Sequence, residues 1–123
     1  MLQYLLIGFL GALGAMTRAV VSESLNTTTF PLGTFSVNLL GCLFLGILTG
    51  VGMYSSLLPE NWRAPIATGF LGSLTTFSTF TVENLKLIET QQWKLFVIHF
   101  FGQLLLGFIL AGIGLYGSRA LLR

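Results

Sequence analysis

Between Gly69 and Glu83 the chain reads Gly-Phe-Leu-Gly-Ser-Leu-Thr-Thr-Phe-Ser-Thr-Phe-Thr-Val-Glu, which places two glycines, six hydroxyl residues and a carboxylate within an otherwise apolar stretch. Serine and threonine hydroxyls donate hydrogen bonds. A phenyl ring has a negative face and a positive edge. Hydroxyls beside Phe77 and Phe80 therefore suit a small anion with a strong demand for hydrogen bonds, without the tight grip of an ammonium group. Conduction needs binding favourable enough to enter and weak enough to leave. Gly72-Ser-Leu-Thr75 is the expected breakpoint if this helix is interrupted. Unwound carbonyls at such a turn can coordinate a cation. A continuous helix whose hydroxyls bond back to its own carbonyls is the other reading, and the residues leave both open.

If the helix runs around Phe77, then Phe77, Phe80 and Asn84 share one face, and Thr76, Thr79 and Glu83 share the adjacent one. Two further polar pairs recur at i, i+4: Thr34 with Asn38, and His99 with Gln103. Arg18, near the end of the first apolar stretch, is placed to draw anions into a vestibule. Each group also has a plainer role. Hydroxyls bond across to neighbouring helices, phenylalanines pack, His99 serves as a satisfied interhelical donor, and Arg18 snorkels. The combination decides. Hydrocarbon offers no water, so irregular polar backbone is tolerated there only inside protein or along an aqueous cavity, and intramembrane polar residues are read as functional.

The elements that must hold these residues are membrane helices. The chain has 123 residues, 54% hydrophobic and 8% charged, against roughly 25% charged in a soluble domain. Apolar stretches run over about 2–21, 33–54, 64–87 and 95–116. Each meets the requirement of roughly 20 residues for a hydrocarbon core of about 30 Å. The expected fold is all-α, a single transmembrane channel domain over 1–123 with four spans and the third broken. Asn26–Pro31, the segment around Pro59, and Glu89–Lys94 carry turn signals. Pro65 suits the first turn of the third helix, where a missing amide hydrogen costs nothing. Gly46 and Gly50 form a small-xxx-small pair for close helix packing.

Composition also excludes. A net charge of +2, scattered along the chain, gives no nucleic-acid footprint. Cys42 is the only cysteine, so neither an internal disulfide nor a site of spaced thiolates can form. One histidine, one cysteine and no paired carboxylates supply no nucleophile–base set, so no enzyme is expected. No basic leader precedes the first apolar run, and no cleavable signal peptide is expected.

Four spans put both termini on one side. That side carries Arg63, Arg119 and Arg123, and the other carries Arg18, Lys86 and Lys94. Lys/Arg bias sets orientation. Here the bias is zero, so a mixture of both orientations is expected. Many transport folds use inverted repeats. This chain shows no internal repeat, and an antiparallel homodimer would supply the same symmetry. A parallel dimer or a monomer, oriented by something else, is the alternative.

Three motifs carry a resemblance: Gly11-Ala-Leu-Gly-Ala-Met-Thr-Arg18, Gly33-Thr-Phe-Ser-Val-Asn-Leu-Leu-Gly41 and Gly69-Phe-Leu-Gly-Ser-Leu-Thr-Thr-Phe-Ser-Thr-Phe80. The third is the most specific. Along nearly its whole length the chain resembles the Fluc (CrcB-type) fluoride channels. The resemblance implies an antiparallel, dual-topology homodimer in the bacterial inner membrane, with two fluoride pores and passive fluoride export. It implies a structural sodium ion (Na+) at the centre, held by the backbone carbonyls of Gly72 and Thr75 of both subunits. By motif position the pore phenylalanines are Phe77 and Phe80, the pore asparagine Asn38 and the vestibule arginine Arg18. A polar track falls on Thr34, Ser78, Thr79 and Glu83. His99 falls where relatives carry a polar ring, and Gly107 stands where some relatives have serine.

A small multidrug or cation exporter is the competing transport reading, since it too is a four-span dimer. Its chemistry needs a carboxylate inside an early span, whereas Glu83 lies near the end of the third. A non-transporting scaffold subunit would not need a polar break in that span.

Overall fold

The computed structural model describes residues 1–122; Arg123, counted above on the terminal side, lies outside them. Regular structure among the described residues is helical, with one isolated antiparallel bridge between Asn26 and Pro31. Among the described residues, three helices are long and apolar enough to cross a membrane: α1 (Leu2–Leu25), α2 (Leu32–Tyr54) and α6 (Trp93–Leu122). At about 1.5 Å per residue, each is long enough to pass a hydrocarbon core of about 30 Å.

The segment expected to be the third helix is assembled from pieces. It comprises α3 (Glu60–Ala64), a π-helical stretch (Pro65–Leu71), α4 (Gly72–Leu74) and α5 (Phe77–Glu89). Two expectations need correction. Helical structure begins at Glu60 rather than near Ala64, so Pro65 follows a complete turn instead of opening the helix. Proline inside a helix withholds an amide and crowds the carbonyl four residues earlier. The chain widens into π geometry directly at Pro65, which loosens that crowding. Such widened turns are rare and concentrate at functional sites.

α1 packs along the π stretch and α4, and α2 packs along α6. At Gly46 and Gly114 the α2 and α6 backbones approach so closely that any Cβ would strike the facing helix. In lipid, this packing of small residues holds helices together. The buried apolar cluster is small, formed by Val37, Leu71 and Leu74 with Val21, Leu48 and Phe70 around it. Polar residues fill much of the remaining interior: Thr34, Asn38, Asn84, His99 and Gln103 are all buried. Large apolar side chains such as Phe9, Phe101 and Phe108 point outward. Apolar outside and polar inside suits lipid as the surrounding solvent.

The α1–α2 connection is tightly tied. Asn26 Oδ1 accepts from the amides of Gly33 (2.7 Å) and Thr34 (3.3 Å), which satisfies the first turn of α2. Thr27 Oγ1 accepts from the amides of Thr29 (3.3 Å) and Phe30 (3.0 Å). These bonds fix Phe30 beside α2 and α6.

Candidate functional site

The polar stretch is interrupted at the C-terminal end of the expected Gly72–Thr75 segment and one residue beyond it. Gly72–Leu74 stays helical, with Gly72 at φ −63°, ψ −31°. The extended residues are Thr75 (φ −90°, ψ 158°) and Thr76 (φ −152°, ψ 120°). Glycine is therefore not what opens the helix. Asn38 on α2 accepts from the Thr76 amide through Oδ1 at 2.8 Å and donates to the Thr76 carbonyl through Nδ2 at 3.0 Å. A Cβ at Gly41, one turn along α2, would collide with the Thr75 methyl, so this glycine lets the extended turn lie against α2.

Thr76 also caps α5, its Oγ1 accepting from the Thr79 amide at 3.2 Å. Its place outside the helix corrects the expectation that Thr76, Thr79 and Glu83 form one helical stripe. The three side chains still connect in part, since Thr76 Oγ1 donates to Thr79 Oγ1 at 3.0 Å. Ser78 lies exposed on the first turn of α5, 3.4 Å from Thr76 Oγ1.

The break redirects specific carbonyls. In a continuous helix the Thr76 amide would bond to Gly72 C=O, and the Thr79 amide to Thr75 C=O. Both amides are engaged elsewhere, by Asn38 and by the Thr76 hydroxyl. The Gly72 and Thr75 oxygens thus lose their helical donors. The Ser73 carbonyl, next after that of Gly72, accepts from Arg18 Nε at 3.0 Å. Arg18 is half-buried and braces the break itself.

Beyond the break, α5 carries the aromatic pair. Phe77 is 76% exposed and Phe80 3%, with ring centroids 5.9 Å apart. Phe80 lies 5.1 Å from the His99 ring. One turn further, Glu83 joins three elements. Thr34 Oγ1 donates to Glu83 Oε1 at 2.7 Å, and His99 Nε2 lies 3.2 Å from Glu83 Oε2. Thr34 and His99 are fully buried. A carboxylate at this depth is tolerable because donors hold both its oxygens.

Asn38, Phe80, Thr34, Glu83 and His99 therefore converge between α2, α5 and α6. Phe77 and Ser78 sit on the open side, and Arg18 sits on the other flank of the break. A groove of about 460 Å³ runs along this convergence, bounded by Asn38, Thr75, Thr76, Phe77, Phe80 and Gln103 among others. Gln103 donates to Phe35 C=O at 3.4 Å, while its buried Oε1 has no protein partner among the described residues. Its i, i+4 spacing from His99 was the signal for it. Phe30, whose ring meets His99 edge-on at 5.4 Å, carried no such signal because it lies in a turn. Gly107 packs against the Cys42 sulfur, so α6 supplies no hydroxyl at that level.

Comparisons with known proteins place the chain in a family. The family described as "CrcB-like protein, Camphor Resistance (CrcB)" matches residues 5–115. A protein of Nitratidesulfovibrio vulgaris named "Fluoride-specific ion channel FluC" is 46% identical over 122 residues, spanning 97% of this chain and 98% of its own. A protein of the same name from Maridesulfovibrio salexigens is 43% identical over 118 residues, spanning 92% and 94%. "Fluoride-specific ion channel FluC 1" of Bacillus cereus is 41% identical over 116 residues, spanning 92% and 81%. On the strength of these matches, the chain belongs to the CrcB-like family.

Proposed function

We propose that this protein is a fluoride-selective channel that lets fluoride leave the cytoplasm passively. It is not an enzyme. The observation that carries the reading is the unwound Thr75–Thr76 turn, pinned by Asn38 beside Phe77 and Phe80, in a chain closely similar to proteins named as fluoride-specific channels. Hydroxyl donors and phenyl edges give a small anion weak, dispersed contacts. Hydrogen fluoride crosses bilayers as the neutral acid and ionises in a less acidic cytosol. A channel then drains the trapped anion down its gradient.

In this reading α3, the π stretch, α4 and α5 together form the third of four crossings, and two copies assemble antiparallel in the bacterial inner membrane. Support comes from the break. Gly72 is exposed on the single chain, and carbonyls without helical donors are costly against acyl chains. A second, inverted copy covers them and completes the groove. It also brings a matching pair of Gly72 and Thr75 oxygens to the axis.

Those oxygens fit Na+ as a structural ion. They are hard, neutral donors, and the Arg18 guanidinium beside Ser73 C=O disfavours a multivalent cation there. Among the described residues no group of three or more His, Cys, Asp or Glu could hold another metal. The ion, when bound, supplies positive potential beside the path.

A cation or multidrug exporter is less well supported, because Glu83 already engages Thr34 and His99 and is not a free carboxylate. Liposomes holding the purified protein test the function. Fluoride release measured with an ion-selective electrode, with chloride retained, is expected. Equal chloride release rejects fluoride selectivity.

A further inference from the structure

A second hollow, of about 380 Å³, opens beyond Glu83, away from the groove at the break. Thr27, Thr28, Thr29 and Phe30 line it from the α1–α2 turn, and Lys86 and Glu89 from α5. Glu83 borders this hollow and is also bonded to Thr34 and His99 behind it. The aromatic series does not stop at Phe80. Phe77 to Phe80 is 5.9 Å, Phe80 to His99 5.1 Å, and His99 to Phe30 5.4 Å at 83°. Rings thus run from the groove to the wall of the hollow. No sequence spacing links the Asn26–Pro31 turn to this series; the fold brings them together.

We propose that this hollow is the outer mouth of the conduction path, with Lys86 as its anion-collecting group and Phe30 as its last ring. The inference rests on the channel reading above. An anion leaving the Phe80–His99 region must pass a carboxylate. Two donors hold that carboxylate, but its charge still repels. Lys86 lies one helical turn from Glu83 on α5, on the same side. Its ammonium has no carboxylate within ion-pair range among the described residues. Glu89 lines the hollow too, so Lys86 offsets part of the charge of two carboxylates, and without it the rim would carry carboxylates alone and hold less fluoride. The Thr28 hydroxyl offers a donor to an ion regaining its hydration, while that of Thr27 donates to Phe30 C=O at 3.1 Å.

Unitary fluoride conductance in planar bilayers tests this, since it is read channel by channel and does not depend on the folded fraction. Lys86→Gln should lower conductance about two- to five-fold at low ionic strength, the range set by one unit charge at contact to moderate distance in water. The deficit should vanish when a salt of an impermeant anion screens the rim. Lys86→Arg should conduct as the wild type does, and so should Lys94→Gln, which removes a charge outside the hollow. Phe30→Leu should lower conductance at both ionic strengths. Wild-type conductance in Lys86→Gln at low salt, or an equal loss in Lys94→Gln, overturns the inference while leaving the channel intact. Wild-type conductance in Phe30→Leu removes the path from the hollow. A wild type silent to fluoride rejects the channel reading and this one with it.

Discussion

The side-chain amide of Asn38 closes both backbone hydrogen bonds of Thr76, accepting from its N–H at 2.8 Å and donating to its C=O at 3.0 Å. A residue on one membrane helix thereby replaces the helical bond that the Thr76 amide gives up. The extended turn is a built feature, held from α2, and the Gly72 oxygen is left without its helical donor as a direct result. Structure and proposed chemistry meet at this pair.

Asn38→Asp keeps an acceptor for the Thr76 amide but sets a carboxylate against the Thr76 carbonyl. One buried bond is lost and a negative charge is set against a carbonyl oxygen. We expect a destabilisation of about 1–3 kcal/mol, read as a lower melting temperature in detergent, together with reduced fluoride flux. An unchanged melting temperature would show that Asn38 does not hold the turn.

Sodium withdrawal tests the freed oxygens of Gly72 and Thr75. A ligand that binds only the assembled form stabilises it by mass action. Replacing sodium with a large organic cation should lower the melting temperature and promote dissociation into single chains. The size of the loss should shrink as sodium is added back. Indifference to sodium at every concentration would remove the ion from the account.

Phe80→Ile keeps an apolar side chain of similar breadth but removes the ring edge beside His99. We expect fluoride flux to fall about ten-fold, equivalent to ~1.4 kcal/mol on the barrier, while size-exclusion profiles stay as for the wild type. Wild-type efflux would mean that the ring serves packing alone.

Thr34→Val removes the 2.7 Å donor to Glu83 and leaves one carboxylate oxygen without it. Flux and stability should both fall, the latter by about 1–3 kcal/mol. Thr34→Ser restores the hydroxyl and should restore both. Failure of serine to rescue would show that the threonine methyl, not the hydrogen bond, is what matters.

Much of this was legible in the residues. Hydropathy gave α1, α2 and α6 because length and apolarity alone define such helices, and the polar run at Gly69–Glu83 marked an interrupted segment. The location was legible only in part: the expected segment Gly72–Thr75 includes extended Thr75 but not Thr76. Gly72 drew attention because glycine lowers helix stability, yet it remains helical. The turn falls at Thr75–Thr76 because Asn38, 38 positions earlier, supplies replacement bonds there. Sequence spacing cannot register a partner on another helix. The π stretch at Pro65 escaped for a similar reason: proline was assigned to a helix start, while the start lies at Glu60. Thr34 and His99 were visible as polar members of their spans. That both converge on Glu83 depends on helix packing, which periodicity does not report.

The account stands on an inverted second copy covering the turn at Thr75–Thr76, which requires the chain to insert both ways round. A single cysteine at exposed Lys94, in a Cys42→Ala background, can be labelled in intact spheroplasts with a membrane-impermeant maleimide. Absence of net Lys/Arg bias predicts labelling of about half the molecules, and of the rest only after permeabilisation. Labelling of all molecules, or of none, before permeabilisation would contradict the account.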